Sequence, residues 1–124
     1  MIGYLLVAAG AAVGAPLRYL VDRVVQGRHR SVFPWGTFTV NVAGSVILGA
    51  VTAAALTGAA PNEWELLLGI GVCGAFTTYS TFAYETIRLL QQRAHRVALV
   101  NAIASVLAGV LGATIGFMTT WAAL

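Results

Sequence analysis

Charge is what this chain has least of. Acidic and basic residues fill only 9% of its 124 positions, while hydrophobic residues fill 59%. An ordinary soluble domain carries roughly 25% charged residues, so the composition excludes one and points to an integral membrane protein. Cysteine is nearly absent as well. Cys73 stands alone, which excludes an internal disulfide and a cysteine metal cluster and leaves small apolar packing as its expected role.

Four runs contain no charged residue: 1–17, 31–62, 66–84 and 97–124. Each is near or above the ~20 residues a helix needs to cross a bilayer. The first contains A-x-A spacings between Ala8 and Ala15, but no basic residue precedes its apolar stretch and three more spans follow, so it reads as a span and not a signal peptide. One all-α domain over 1–124 follows, with four transmembrane helices in a multi-pass protein of the cell membrane. Its links are expected near 21–34, as an amphipathic turn or short helix at the interface, near 57–62 at Gly58 and Pro61, and near 90–96.

All seven arginines lie on one side of this plan. Arg18, Arg23, Arg28 and Arg30 flank the first link, and Arg88, Arg93 and Arg96 flank the third; the other side has only Glu63 and Glu65. Arginine near helix ends sets orientation, which places both arginine-bearing links in the cytoplasm and both termini outside. The net charge of +3 is then a topology signal, with contact to anionic lipid and no nucleic-acid footprint.

Within the spans, polar residues are few. Thr37, Asn41 and Ser45 recur at four-residue steps and share a helix face, as do Asn101, Ser105 and Gly109 in the fourth span. Single residues of this kind are often interhelical glue worth ~0.6 to 2 kcal/mol. Two such stripes, together with the hydroxyl-rich Thr77-Thr78-Tyr79-Ser80-Thr81 of the third span, favour a polar pathway. With amides and hydroxyls and no carboxylate at mid-membrane depth, the lining suits a small anion. Gly74 followed by β-branched threonines weakens the third helix, which is expected to break at mid-membrane and free carbonyls that a cation can satisfy. The alternative is that the threonines bond back one turn and only bend it. Gly10 with Gly14, and Gly112 with Gly116, have the small-xxx-small spacing of close helix packing.

Three motifs carry a resemblance: Gly14-Ala15-Pro16-Leu17-Arg18-Tyr19, then Gly36-Thr37-Phe38-Thr39-Val40-Asn41-Val42-Ala43-Gly44, then Gly71-Val72-Cys73-Gly74-Ala75-Phe76-Thr77-Thr78-Tyr79-Ser80-Thr81-Phe82. In this order and spacing the chain resembles the Fluc (CrcB) family of fluoride channels over essentially its whole length. The resemblance implies a passive channel, not an enzyme, built as an antiparallel dimer of four-helix subunits with two fluoride pores. It also implies a structural Na+ at the dimer centre, held by backbone carbonyls of Gly74 and Thr77. By the resemblance Asn41, the paired aromatics Tyr79 and Phe82, and the track of Asn101, Ser105 and Gly109 belong to the fluoride pathway; the polar stripe adds Thr37 to it, the hydroxyl cluster adds Ser80, and Arg18 at the end of the first span is expected at the pore vestibule. Two departures stand out: Tyr79 where the family usually has phenylalanine, and Gly109 where some members carry a hydroxyl.

A small four-helix multidrug transporter is the rival of similar length. Such exchangers use a membrane-embedded glutamate, whereas Glu85 lies near a helix end and Glu63 and Glu65 at the interface. A non-conducting structural subunit is the other alternative. The one-sided arginines add an expectation of their own. Fixed insertion leaves no inverted copies with which to pair, so the favoured partner is a similar paralogous chain of opposite bias and not a second copy.

Overall fold

A computed structural model describes residues 1–124. It is helical, without strands, and four helical stretches are long and apolar enough to cross a membrane: Ile2–Arg28, Trp35–Leu56, Asn62–Gln91 and His95–Ala123. The third stretch is composite. It comprises α3 (Asn62–Trp64), a π-helix π1 (Glu65–Cys73), α4 (Gly74–Phe76) and α5 (Tyr79–Gln91), between α2 (Trp35–Leu56) and α6 (His95–Ala123).

Helix α1 (Ile2–Arg28) runs on through Pro16 and Arg18 to Arg28, so the expected interfacial turn is instead a continuation of the first span. At 1.5 Å per residue its 27 residues extend about 40 Å, beyond the ~30 Å of hydrocarbon, and its last turns project on the arginine side. There Arg23 Nη1 donates to the Tyr19 hydroxyl one turn back (2.7 Å). The Gly36 amide donates to Gln26 Oε1 (3.2 Å), fastening the end of α1 to the start of α2.

Glycine sets the close contacts. A methyl on Gly10 would overlap the Leu67 carbonyl, and one on Gly14 the Val72 carbonyl, so α1 lies directly on the π1 backbone. Gly49 of α2 meets the Ala113 carbonyl of α6 and Gly116 of α6 meets the Val46 carbonyl of α2, interlocking the fourth span with the second. The packing expected of Gly10, Gly14, Gly112 and Gly116 is present. Only 19 of 124 residues are buried, and large apolar side chains from all four spans lie exposed. In water such a surface would aggregate; facing lipid, it is the outside of the bundle.

Candidate functional site

The third span is interrupted at Thr77 and Thr78, both extended (φ −79°, ψ 159° and φ −149°, ψ 125°). Gly74 is itself helical (φ −61°, ψ −37°), so the threonines and not the glycine make the break. Thr77 bonds back, with its amide and its Oγ1 each 2.9 Å from the Cys73 carbonyl. Thr78 turns the chain into α5 by capping it, Oγ1 accepting from the Thr81 amide (3.3 Å). Both behaviours weighed from the sequence therefore occur, back-bonding at one threonine and rupture at the next.

Asn41 of α2 closes the gap. Its Oδ1 accepts from the Thr78 amide (2.7 Å) and its Nδ2 donates to the Thr78 carbonyl (2.9 Å), a paired bond across 37 positions that replaces two lost helical bonds. An unbroken helix would deliver the Thr78 amide to the Gly74 carbonyl and the Thr81 amide to the Thr77 carbonyl. Asn41 and the Thr78 hydroxyl take those donors instead. The carbonyls of exposed Gly74 and half-buried Thr77 are thus left without those donors. A hard monovalent cation fits such a donor set.

Beside the break lies a cavity of about 390 Å³ between α2, the third span and α6, open on one side. Asn41, Ser45, Gly74, Thr77, Tyr79, Phe82, Ser105 and Gly109 line it, and no charged side chain does. The Tyr79 and Phe82 rings have centroids 6.1 Å apart at 45°, and Tyr79 is 81% exposed on the subunit. Asn101 is not in the lining. It is buried behind Phe82, where its Nδ2 donates to Thr86 Oγ1 (2.9 Å), whose hydroxyl donates to the Phe82 carbonyl (2.8 Å). Ser105 Oγ donates to Asn101 Oδ1 (3.3 Å). Ser80 also lies outside the lining, exposed, its hydroxyl 3.4 Å from that of Thr78.

Arg18 and Thr37 belong to a second, smaller cavity of about 200 Å³, shared with Tyr19, Asp22, Val40, Thr78 and Thr81. Thr78 borders both cavities. The larger cavity matches the expectation of a lining without carboxylates; the smaller departs from it through Asp22. Glu85, placed from the sequence merely near a helix end, turns inward: its Oε2 and the Thr37 Oγ1 are buried without a hydrogen-bond partner. Thr78, Thr86, Asp22 and Glu85 are the residues that site selection from the sequence passed over. For Thr78 the signal was available, since it stands in the quoted motif; for Asp22 and Glu85 only helix rotation decides which way they face.

The family described as CrcB-like protein, Camphor Resistance (CrcB), matches residues 5–117. The chain is 60% identical over 118 residues to the "Fluoride-specific ion channel FluC 1" of Streptomyces avermitilis, covering 95% of this chain and 93% of that one. It is 55% identical over 118 residues to the protein of the same name from Frankia casuarinae, covering 91% and 92%. It is 43% identical over 114 residues to the "Fluoride-specific ion channel FluC" of Thermus thermophilus, covering 92% and 91%. With a broken third helix, an uncharged cavity at the break, and a family match over nearly all its length, this four-span membrane protein belongs to the CrcB family.

Proposed function

We propose that this chain forms a fluoride-selective channel that lets fluoride leave the cell passively. The observation that carries the proposal is the cavity at the helix break, where an amide, hydroxyls and two aromatic rings converge without a single charged side chain, in a chain whose relatives bear the name of that activity.

Hydrogen fluoride crosses lipid uncharged and dissociates inside, so an anion pore suffices for export: an inside-negative potential drives each charge outward with ~2.3 kcal/mol per 100 mV. Fluoride is small and tightly hydrated, and a pore must replace its water with donors. Asn41 commits Oδ1 and one N–H to Thr78; its second N–H is free to meet an anion. Ser105 adds a hydroxyl, and Phe82 and Tyr79 offer the positive edges of their rings. Arg18 in the smaller cavity concentrates anions at the mouth, and Thr78 carries the path from one cavity to the other. Asn101 and Thr86 act one step back, fixing the segment that carries Phe82.

The functional unit in this proposal is an antiparallel dimer. An isolated subunit would present Tyr79, the Gly74 backbone and the open side of a cavity containing an amide and hydroxyls to hydrocarbon, and a second four-helix unit would cover all three. Facing breaks would bring the Gly74 and Thr77 carbonyls of two subunits together around Na+, which would supply positive charge to oxygens left without donors. Seven arginines on one side favour a partner of similar sequence and opposite bias. A multidrug exchanger lacks support here because no carboxylate lines the larger cavity. Growth in fluoride of a bacterium stripped of its own exporters tests the proposal: expression of the chain, with its partner where one is required, restores growth if it holds, and sensitivity despite membrane insertion of both chains counts against it.

A further inference from the structure

Apart from the pathway, two cavities meet on the arginine side of the bundle. One, of about 420 Å³, is lined by Arg93, Ala94, His95, Arg96 and Val97. The other, of about 480 Å³, is an apolar groove between the start of α2 and the first turns of α6, walled chiefly by Val32, Phe33, Trp35, Phe38, Val97 and Val100. Arg96 and Val97 line both, and neither lining contains a carboxylate. We propose that the pair is a binding site for an anionic glycerophospholipid, its phosphate held by Arg93 and Arg96 and one acyl chain laid in the groove.

Three features commit the site to that occupant. The first is length: the groove reaches from the helix end to Ala104, nine residues into α6, about 14 Å at 1.5 Å per residue and close to the depth of one leaflet. The second is a rigid wall. Phe33, Trp35 and Phe38 pack edge to tilted with centroids 4.7 to 5.9 Å apart, an aromatic belt at the level where headgroup meets chain. The third is Arg93. It closes α5 in the left-handed conformation (φ 60°), with its own amide donating to the Leu90 carbonyl (3.0 Å) and the Ala94 amide to the Leu89 carbonyl (2.9 Å). Glycine is the usual residue at that position of this helix-ending motif, because a side chain there is strained. Arginine in its place adds a cation at the rim of the basic notch. Basic pockets between helices on the cytoplasmic side are where anionic headgroups bind.

The purified assembly, held in mild detergent with equal amounts of phosphatidylglycerol and phosphatidylcholine of identical chains, is weighed by native mass spectrometry. Phosphatidylglycerol should be retained in preference. Arg93→Gly, which the left-handed backbone accepts more readily than arginine, and Arg96→Gln should each weaken that retention roughly fivefold. Val100→Trp, which fills the groove and leaves every charge in place, should lower it as well, while Arg28→Gln at the other link should not. Equal retention of the two lipids by the parent overturns the proposal. So does a preference that survives Arg93→Gly with Arg96→Gln, or one that Arg28→Gln reduces just as much, since that would be diffuse surface attraction and not a site.

Discussion

At Asn41 the structure of the break and the proposed fluoride path meet in one side chain. Its amide satisfies both backbone groups of Thr78 and still keeps a donor for the cavity. In Asn41→Asp one carboxylate oxygen can still accept from the Thr78 amide, but the donor is lost and a fixed negative charge stands beside the permeating anion. At ~4 Å and an effective dielectric near 20 that repulsion is about 4 kcal/mol, and fluoride flux should fall more than roughly a hundredfold; because the second carboxylate oxygen would face the Thr78 carbonyl, flux is compared only for protein that gel filtration shows to be assembled. Phe82 separates shape from electrostatics. Phe82→Ile keeps an apolar side chain but loses the ring edge and the pairing with Tyr79; with ring interactions worth ~1 kcal/mol beyond area, flux in proteoliposomes should drop roughly fivefold. Parental flux in that variant would reduce Phe82 to packing.

Among the elements, the third span depends most on its neighbours. Glycines 10 and 14 of α1 bring backbone against π1, and the break that follows is held from α2 by Asn41. Gly14→Val would drive a branched side chain into the Val72 carbonyl and Ala75. Overpacking of this kind costs ~1 to 3 kcal/mol, so the variant should melt at lower temperature and lose assembled channel, whereas Gly27→Ala, with nothing within 4 Å of the added carbon, should match the parent. The existence of four spans was legible in the sequence because hydropathy alone reports them. The π-helix was not, since an i to i+5 turn has the same composition as an α turn and here follows contact with α1. Gly74 and the threonines after it mark the right segment for the break, but only the threonines leave the helix; Thr77 and Thr78 are extended, and Thr78 is held there by a side chain 37 positions away. Such a contact has no local signature. For the same reason Thr37, Asn101, Ser80 and Arg18 could be chosen by residue type, but not assigned to the larger cavity, the smaller one or the packing behind Phe82.

For the whole molecule, the proposed antiparallel assembly turns on orientation. Seven arginines on one side and none on the other should insert the chain almost entirely one way, termini outside. A single cysteine introduced at Gly58, in the link between α2 and α3, into a Cys73→Ser background, should be labelled by an impermeant thiol reagent from the outer face only when the chain is expressed alone. Comparable labelling from both faces would mean that this sequence inserts in both orientations and can pair with itself.

Selective fluoride conduction through the cavity at the helix break is read out by flux from proteoliposomes. The purified chain, with its opposite-orientation partner where labelling shows one is needed, is reconstituted into vesicles loaded with fluoride or chloride, and efflux is started with a potassium ionophore. Rapid, potential-driven release of fluoride, retention of chloride, and loss of the fluoride signal in Asn41→Asp are expected. Release of chloride at a similar rate, or exchange of a cationic dye without fluoride movement, would contradict selective fluoride conduction.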